Sequence, residues 1–274
     1  MSKAKVLFIN SEVMPYIPET RMSKIGRTLP QGIQEAGHEI RTFMPRFGII
    51  NERRNQLHEV IRLSGMNLII NETDHPLIIK VASIQAARMQ VYFIDNDDYF
   101  THRELYVDKR GNEYDDNGER AYFFARGVAE TIRKLHWTPD VIYCQGWFAS
   151  LAPLLIKKHY GDDPCFRNCK VVIALFDNAY QQPLPPNLAT TIKCDGINKS
   201  DLSDIRDKAV TCNMLSKLAI KYSDGVIVTE PGVSNELVEY ANKMEKKVLM
   251  AADPELDIAK YDVFFDEIAE LQQA

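Results

Sequence analysis

The stretch Lys5-Val-Leu-Phe-Ile-Asn-Ser-Glu-Val-Met-Pro15 decides the fold, because five mostly apolar residues run straight into polar ones. A short apolar run without alternation is typical of a central parallel strand that is covered on both faces. The apolar residues that follow recur at helical spacing: Met22, Ile25, Leu29, Ile33 and Ala36. Gly37 closes this predicted helix, and residues 39–44 predict the next strand. Pro30 predicts a kink or a late helix start, because proline cannot donate a helical hydrogen bond.

Strand and helix patterns keep alternating in the second half of the chain. The predicted strands and helices are, in order, helix 117–135, strand 141–144, helix 148–159, strand 170–175, helix 203–222, strand 225–228 and helix 232–243. This alternation predicts βαβ units and therefore a parallel sheet with right-handed crossovers.

Two segments depart from this alternation. Residues 50–115 hold short β-type runs at 57–63, 76–84 and 90–95, which predict an antiparallel β insertion plus one strand of the main sheet. Residues 254–274 predict a C-terminal helix. We expect this helix either to fold back over an otherwise exposed apolar face of the domain or to form a dimer contact. Since no linker or repeat interrupts the chain, we expect residues 1–274 to form one α/β domain.

Composition excludes several classes of partner. The 274 residues carry a formal net charge of −5 without a long basic cluster, so we expect no nucleic-acid partner. No apolar run reaches the roughly 18 residues of a membrane span, and the N-terminus does not fit a signal peptide. Five scattered cysteines argue against a disulfide framework. We therefore expect a cytoplasmic protein without membrane association.

The common cofactor and nucleophile motifs are absent from the sequence. It lacks G-x-G-x-x-G, the P-loop and G-x-S-x-G, which disfavours a nicotinamide enzyme, a P-loop nucleotide enzyme and an α/β-hydrolase. Cys165 and Cys169 have a loose spacing without a second pair, which does not fit a zinc site. The acids at 97–98 and 115–116 are expected in solvated turns. We predict no metal and no cofactor.

Three blocks carry a resemblance to a known family: Val91-Tyr-Phe-Ile-Asp-Asn-Asp-Asp-Tyr-Phe100, Asp116-Asn-Gly-Glu-Arg-Ala-Tyr-Phe-Phe124 and the opening 5–15. From Lys5 to about Tyr240 the chain resembles bacterial glycogen synthases and plant starch synthases. The resemblance implies the Rossmann-like, N-terminal half of a GT-B glycosyltransferase. It also implies an ancestry in the transfer of glucose from ADP-glucose or UDP-glucose to an α-1,4-glucan, with retention.

The resemblance covers only the acceptor-side domain, and the chain ends where the family's nucleotide-binding domain would begin. We therefore expect this chain to lack the groups that neutralise the donor's diphosphate.

Three of the family's motifs are altered in this chain. Pro18-Glu-Thr-Arg-Met22 stands where the family has Lys-Thr-Gly-Gly-Leu, and Gln145-Gly-Trp-Phe148 stands for His-Asp-Trp-His. Phe176 occupies the position of a histidine that the resemblance assigns to sugar binding and catalysis. A phenyl ring neither transfers a proton nor hydrogen-bonds a hydroxyl as imidazole does. The resemblance therefore implies no catalytic residue here.

The residues left at the expected cleft combine aromatic rings with amide and carboxylate groups: Glu12, Tyr16, Gln145, Trp147, Asp177, Asn178, Tyr180 and Gln181. This combination suits carbohydrate recognition, with a flat face for a sugar ring and polar groups at its edge. The alternative is that Trp147 and Tyr180 pack between helix and sheet, and that Glu12 fixes a loop.

Three hypotheses of function remain open from the sequence. The first is a non-catalytic relative of glycogen synthase that binds a glucan, a small carbohydrate or a protein, with a binding or regulatory role. The second is half of a split enzyme, completed by a separate nucleotide-binding domain. The third is a homodimeric assembly module.

Overall fold

The computed structural model describes residues 3–192, 194–253 and 255–270. Its strands are β1 (Lys5–Ile9), β2 (Glu39–Pro45), β3 (His58–Glu59), β4 (Met66–Ile70), β5 (Thr73–Ile84), β6 (Met89–Asp95), β7 (Val141–Gln145), β8 (Lys170–Leu175), β9 (Gly225–Val228) and β10 (Lys247–Met250). Its α-helices are α1 (Arg21–Glu35), α2 (Glu52–Asn55), α3 (Asn117–Leu135), α4 (Ala152–Leu154), α5 (Leu188–Thr191), α6 (Cys212–Lys221), α7 (Asn235–Lys243) and α8 (Ile258–Ala269).

The sheet has the strand order β10-β9-β8-β7-β1-β2-β6-β5-β3, and β4 pairs with β5 beside this path. The seven strands from β10 to β6 are parallel, whereas β3, β4 and β6 each pair with β5 in antiparallel fashion. This confirms the predicted α/β fold with a Rossmann-like parallel sheet and an antiparallel β insertion. The insertion continues the main sheet, because β5 pairs with β6. A single domain over residues 1–274 stays a prediction.

The first strand–helix–strand unit forms as predicted, and Pro30 is accommodated inside α1. The helix begins nine residues before Pro30, so the late start is wrong. Pro30 cannot donate to the carbonyl of Gly26 one turn earlier. The side chain of Asn10 replaces that donor, with its amide nitrogen 3.1 Å from the Gly26 oxygen. The residue that follows β1 thus donates to the backbone carbonyl that the proline leaves without a helical donor.

The helix predicted over residues 203–222 is only half as long as expected. It begins at Cys212, where Thr211 caps it by accepting from the Met214 N–H. The backbone of Val210 is engaged in an antiparallel bridge with Leu184, at 2.8 and 2.9 Å in the two directions, which a helix would break. The stretch predicted as helix 148–159 is instead a 3₁₀ turn, the short α4 and a π-helical turn. Strand β10 was not predicted.

Helix α8 forms the C-terminal element of the described chain and packs on one face of the sheet. Its start is Ile258, after the cap Asp257, rather than near residue 254 as predicted. Phe265 contacts Phe8 and Tyr143 with ring centroids 6.3 and 6.2 Å apart. The helix therefore covers the centre of the sheet at β1 and β7. Pro254 and residues 271–274 of the predicted helix lie outside the described residues. Among the helices described, none is long and apolar enough to cross a membrane.

Arg120 of α3 holds the loop that joins the insertion to the rest of the fold. Its side chain is fully buried and donates to the carbonyls of Tyr99, Glu104 and Leu105 at 2.8, 3.0 and 2.7 Å. It also donates to the Asn117 side chain at 2.7 Å. Burial lowers the pKa of the guanidinium to about 10. One buried cation thus organises the path of residues 99–105.

We expect Arg120→Met to lower the free energy of unfolding by about 3–5 kcal/mol, because four buried acceptors lose their donor. Urea denaturation measures this loss. Arg53→Met, at an exposed arginine of α2, is the control and should change stability by less than about 0.5 kcal/mol. A loss of less than about 1 kcal/mol in Arg120→Met would contradict the anchoring role.

Candidate functional site

The carboxyl ends of β1 and β7 form the point where the strand order reverses, at which open α/β sheets usually bind their ligands. Here the Gln145 side chain fills this crevice. Its amide oxygen accepts from the Glu12 N–H at 3.1 Å, and its amide nitrogen donates to the Met22 carbonyl at 3.0 Å. The Ser11 hydroxyl donates to the Gln145 carbonyl at 2.5 Å. Gln145 and Ser11 are both fully buried.

Helix α1 seals the same crevice from above by packing on the loop after β1. A Cβ atom on Gly26 would lie 2.0 Å from the Glu12 carbonyl oxygen and 3.2 Å from the Gln145 amide nitrogen. Only glycine permits that approach. At the reversal point the described residues are therefore closely packed against one another.

Glu12 and Tyr16 lie in the packed interior beside this crevice. The Glu12 carboxylate accepts from the Thr20 hydroxyl at 2.8 Å and from the Tyr106 hydroxyl at 3.3 Å. Burial raises the pKa of Glu12 because it removes water from the charged form. Tyr16 packs edge-on against Phe93, with ring centroids 4.8 Å apart, and burial raises the pKa of Tyr16 to about 12.

Arg21 ties the altered loop at residues 18–22 to the far side of the sheet. Thr20 caps α1, which places Arg21 at the first helical position. The Arg21 guanidinium donates to the Thr229 carbonyl at 3.0 Å and to the Asp253 carbonyl at 2.6 Å. It also lies 4.0 Å from the Glu230 carboxylate. Arg21 thus connects the start of α1 to the segments that follow β9 and β10.

An open cavity of about 230 Å³ lies one strand away from the reversal point, above β8. Trp147, Phe176 and Leu237 contribute apolar walls, and Asp177 and Asn178 contribute polar groups. Among the described residues, the Asn178 amide makes one weak hydrogen bond, 3.9 Å from the Met22 sulfur. A Cβ atom on the neighbouring Gly232 would lie 2.0 Å from the Asp177 carboxylate, so the turn before α7 fits closely against that side chain.

The structure therefore separates the eight predicted site residues. Asp177 and Asn178 line the cavity, and so does Trp147, although Trp147 is only 3% exposed and packs against Tyr106 at 5.0 Å. Glu12, Tyr16 and Gln145 form the packed interior. Tyr180 is buried against Trp147 at 4.9 Å, and its hydroxyl donates to the Val210 carbonyl at 2.9 Å. Gln181 is exposed, and its backbone N–H donates to the Glu113 carboxylate at 2.8 Å.

Sequence reasoning missed three polar residues of the cavity, Asn213, Ser216 and Ser234. Asn213 and Ser216 lie in the first turns of α6, whose start was predicted about nine residues too early. The signal that identifies them is the cap at Thr211, which fixes where that helix begins. Ser234 precedes α7 and makes no capping hydrogen bond with its side chain.

The described residues of the cavity offer few groups for proton transfer. Phe176 forms part of its wall, and the ionisable side chains there are Asp177 and Cys212. Burial raises the pKa of Cys212 to about 11, so this thiol is protonated at neutral pH. Within the described residues, no group of three potential metal ligands is present. The ionisable groups of the described lining are therefore one carboxyl group and one protonated thiol.

We expect Glu12→Gln to gain stability relative to the natural protein as pH rises. The pKa of Glu12 is raised above 4.5 in the folded state, so the folded chain holds this proton more tightly than the unfolded chain does. The natural protein therefore loses stability as pH rises from about 4.5 through the folded pKa, and the glutamine variant lacks this loss.

Urea denaturation between pH 4 and pH 8 tests this difference between the two proteins. Glu59→Gln removes an exposed carboxylate and controls for the change in net charge. A stability difference between natural protein and Glu12→Gln that stays constant over this pH range would refute the assignment.

Comparison with known proteins identifies the family. A family model described as "Starch synthase catalytic domain" matches residues 5–250. The glycogen synthase of Chlorobium luteolum is 38% identical over 183 residues, which are 66% of this chain and 37% of that protein. The glycogen synthase of Chlorobaculum tepidum is 34% identical over 236 residues, 86% of this chain and 47% of that protein.

A solved structure agrees in fold. The catalytic domain of starch synthase IV from Arabidopsis thaliana, bound to ADP and acarbose, has a TM-score of 0.72 at 16% identity. The match covers 90% of this chain and 51% of that chain. This chain spans less than half the length of the two glycogen synthases compared. It belongs to the starch synthase catalytic domain family.

Proposed function

We propose that this chain binds an α-glucan or a short α-glucan oligosaccharide in the cavity above β8, and that its own residues do not transfer glucose. The proposal keeps the ligand class of the family and assigns the chain a binding or regulatory role in glucan metabolism. It rests on which polar groups remain open in the cavity and on which catalytic groups the chain has replaced.

The observation that carries the binding proposal is the composition of the cavity. The described lining combines the rings of Trp147 and Phe176 with the side chains of Asp177, Asn178 and Ser234. A sugar ring presents apolar C–H faces to aromatic rings and hydroxyl groups to amides and carboxylates at its edge. The volume of about 230 Å³ lies below the usual range of small-molecule sites, so the cavity would take one sugar unit and leave the rest of a glucan chain outside.

Two features of the chain weigh against glucose transfer: the groups available to neutralise a diphosphate and the groups available to move a proton. A departing nucleotide diphosphate needs cations or helix N-termini aimed at the developing charge. Arg21 is a cation at this edge, and three backbone carbonyls, those of Thr229, Ala251 and Asp253, accept hydrogen bonds from its guanidinium. Phe176 stands where the family resemblance places an imidazole. The chain therefore retains a pocket for a polyol without the groups that activate one.

We expect maltotriose to bind with a saturable affinity that Asn178→Ala weakens about three- to tenfold. One lost hydrogen bond contributes about 0.5–1.5 kcal/mol, which gives a change of this size. Titration followed by the amide resonances of residues 176–178 and 213–216 measures the affinity and reports the location.

The matched control for this titration is Asn242→Ala, which removes the same amide from an exposed position of α7 outside the cavity. Its affinity for maltotriose should equal that of the natural protein. If maltotriose fails to saturate any of these resonances, or if both variants bind equally well, the binding proposal is wrong.

We expect no incorporation of glucose from radiolabelled ADP-glucose or UDP-glucose into glycogen by the purified chain. The same assay with the Chlorobaculum tepidum glycogen synthase supplies the positive control. Incorporation above background that Asp177→Asn abolishes would overturn the non-catalytic part of the proposal. Incorporation that appears only on adding a separate nucleotide-binding domain would favour a split enzyme instead.

A further inference from the structure

A second cavity lies on the outer side of α1, between that helix and the segment leading into α8. Its volume is about 400 Å³, within the range of small-molecule sites. It is lined by apolar, cationic and neutral polar residues: Met14, Arg21, Lys24, Ile25, Arg27, Thr28, Gln31 and Leu256. Of the described residues lining it, three are cationic and none is acidic, although the whole chain has a formal net charge of −5.

The three cations differ in how far the protein neutralises them. Lys24 lies 2.5 Å from the Glu19 carboxylate, and Arg21 lies 4.0 Å from Glu230. The Asp253 carboxylate, whose backbone carbonyl accepts from Arg21, is paired with Lys260 at 2.8 Å. Arg27 forms neither a hydrogen bond nor an ion pair with any described residue. Arg27 is partly buried and lines the cavity, and a guanidinium carries five N–H donors.

The rest of the cavity determines what kind of anion fits. Met14, Ile25 and Leu256 provide apolar surface, and Thr28 and Gln31 provide neutral hydrogen-bonding groups. An inorganic anion would leave the apolar surface wet, whereas a phosphate ester that carries a ring uses both parts. Arginine matches phosphate oxygens in a bidentate geometry, and the neighbouring cations add attraction at longer range.

We propose that this cavity is a binding site for a small organic phosphate, with Arg27 as the residue that holds the phosphate group. The site is separate from the cavity above β8 and does not depend on the proposed binding of glucan there. Arg21 lies between the two cavities, because it lines this one and contacts Thr229 and Glu230 beside the other.

Titration with AMP, adenosine and inorganic phosphate tests the site, since AMP combines the ring and the charge that the other two carry separately. We expect AMP to bind at least tenfold more tightly than either, with shifts of the amide resonances of residues 24–31. Raising NaCl from 50 to 300 mM should weaken AMP binding, because salt screens the attraction.

Arg27→Gln should weaken AMP binding about tenfold and leave both the melting temperature and the maltotriose titration unchanged. Arg62→Gln removes an exposed arginine of the insertion and should bind AMP as the natural protein does. Equal weakening in the two variants, or equal affinity for AMP and adenosine, would overturn the proposal. Failure of maltotriose binding alone would refute the glucan proposal and leave this site intact.

Discussion

The side chain of Gln145 is the contact that closes the crevice between β1 and β7. It bridges the carboxyl end of β7 to the loop after β1 and to the start of α1, through the Glu12 N–H and the Met22 carbonyl. A doubly wound sheet normally has an open crevice at this place. The connections that follow the two strands run to opposite sides of the sheet and leave a gap between them. Here the amide of Gln145 accepts from the Glu12 N–H and donates to the Met22 carbonyl. Both buried backbone groups are therefore paired, and the side chain fills the crevice.

With the reversal point packed, the cavity that we propose as the binding site lies above β8. The loop after β8 carries Phe176, Asp177 and Asn178. Helix α6 contributes Asn213 and Ser216, and Ser234 lies just before α7. The close fit between Asp177 and Gly232 fixes the spacing of the cavity walls on the β9 side. Arg21 then joins the loop after β1 to the ends of β9 and β10. One set of contacts thus closes the usual site and shapes its neighbour.

Much of the fold was predictable from the sequence because local patterns determine it. Apolar runs gave β1, β8 and β9 close to their observed bounds, and the pattern over residues 117–135 gave α3 in full. The errors arose where tertiary contacts override local pattern. The backbone of Val210 pairs with that of Leu184, so Val210 is not part of a helix. Inside α1, the Asn10 side chain donates the hydrogen bond that Pro30 cannot make.

The candidate site was less predictable than the fold. Residues that follow adjacent strands were expected to share a cleft, yet Gln145 and Asn178 have different surroundings although β7 and β8 are neighbours. The sequence does not reveal that the Gln145 side chain turns inwards to the loop after β1. Nor does it place Asn213 near Asn178, because that depends on where α6 begins after the Leu184–Val210 bridge.

A crystal structure of the chain with a bound maltooligosaccharide tests the central claim most directly. Sugar density should lie above β8, within hydrogen-bonding distance of Asn178 and against the rings of Trp147 or Phe176, with the Gln145 side chain unmoved. Density between the ends of β1 and β7, with Gln145 displaced from Glu12 and Met22, would contradict the account.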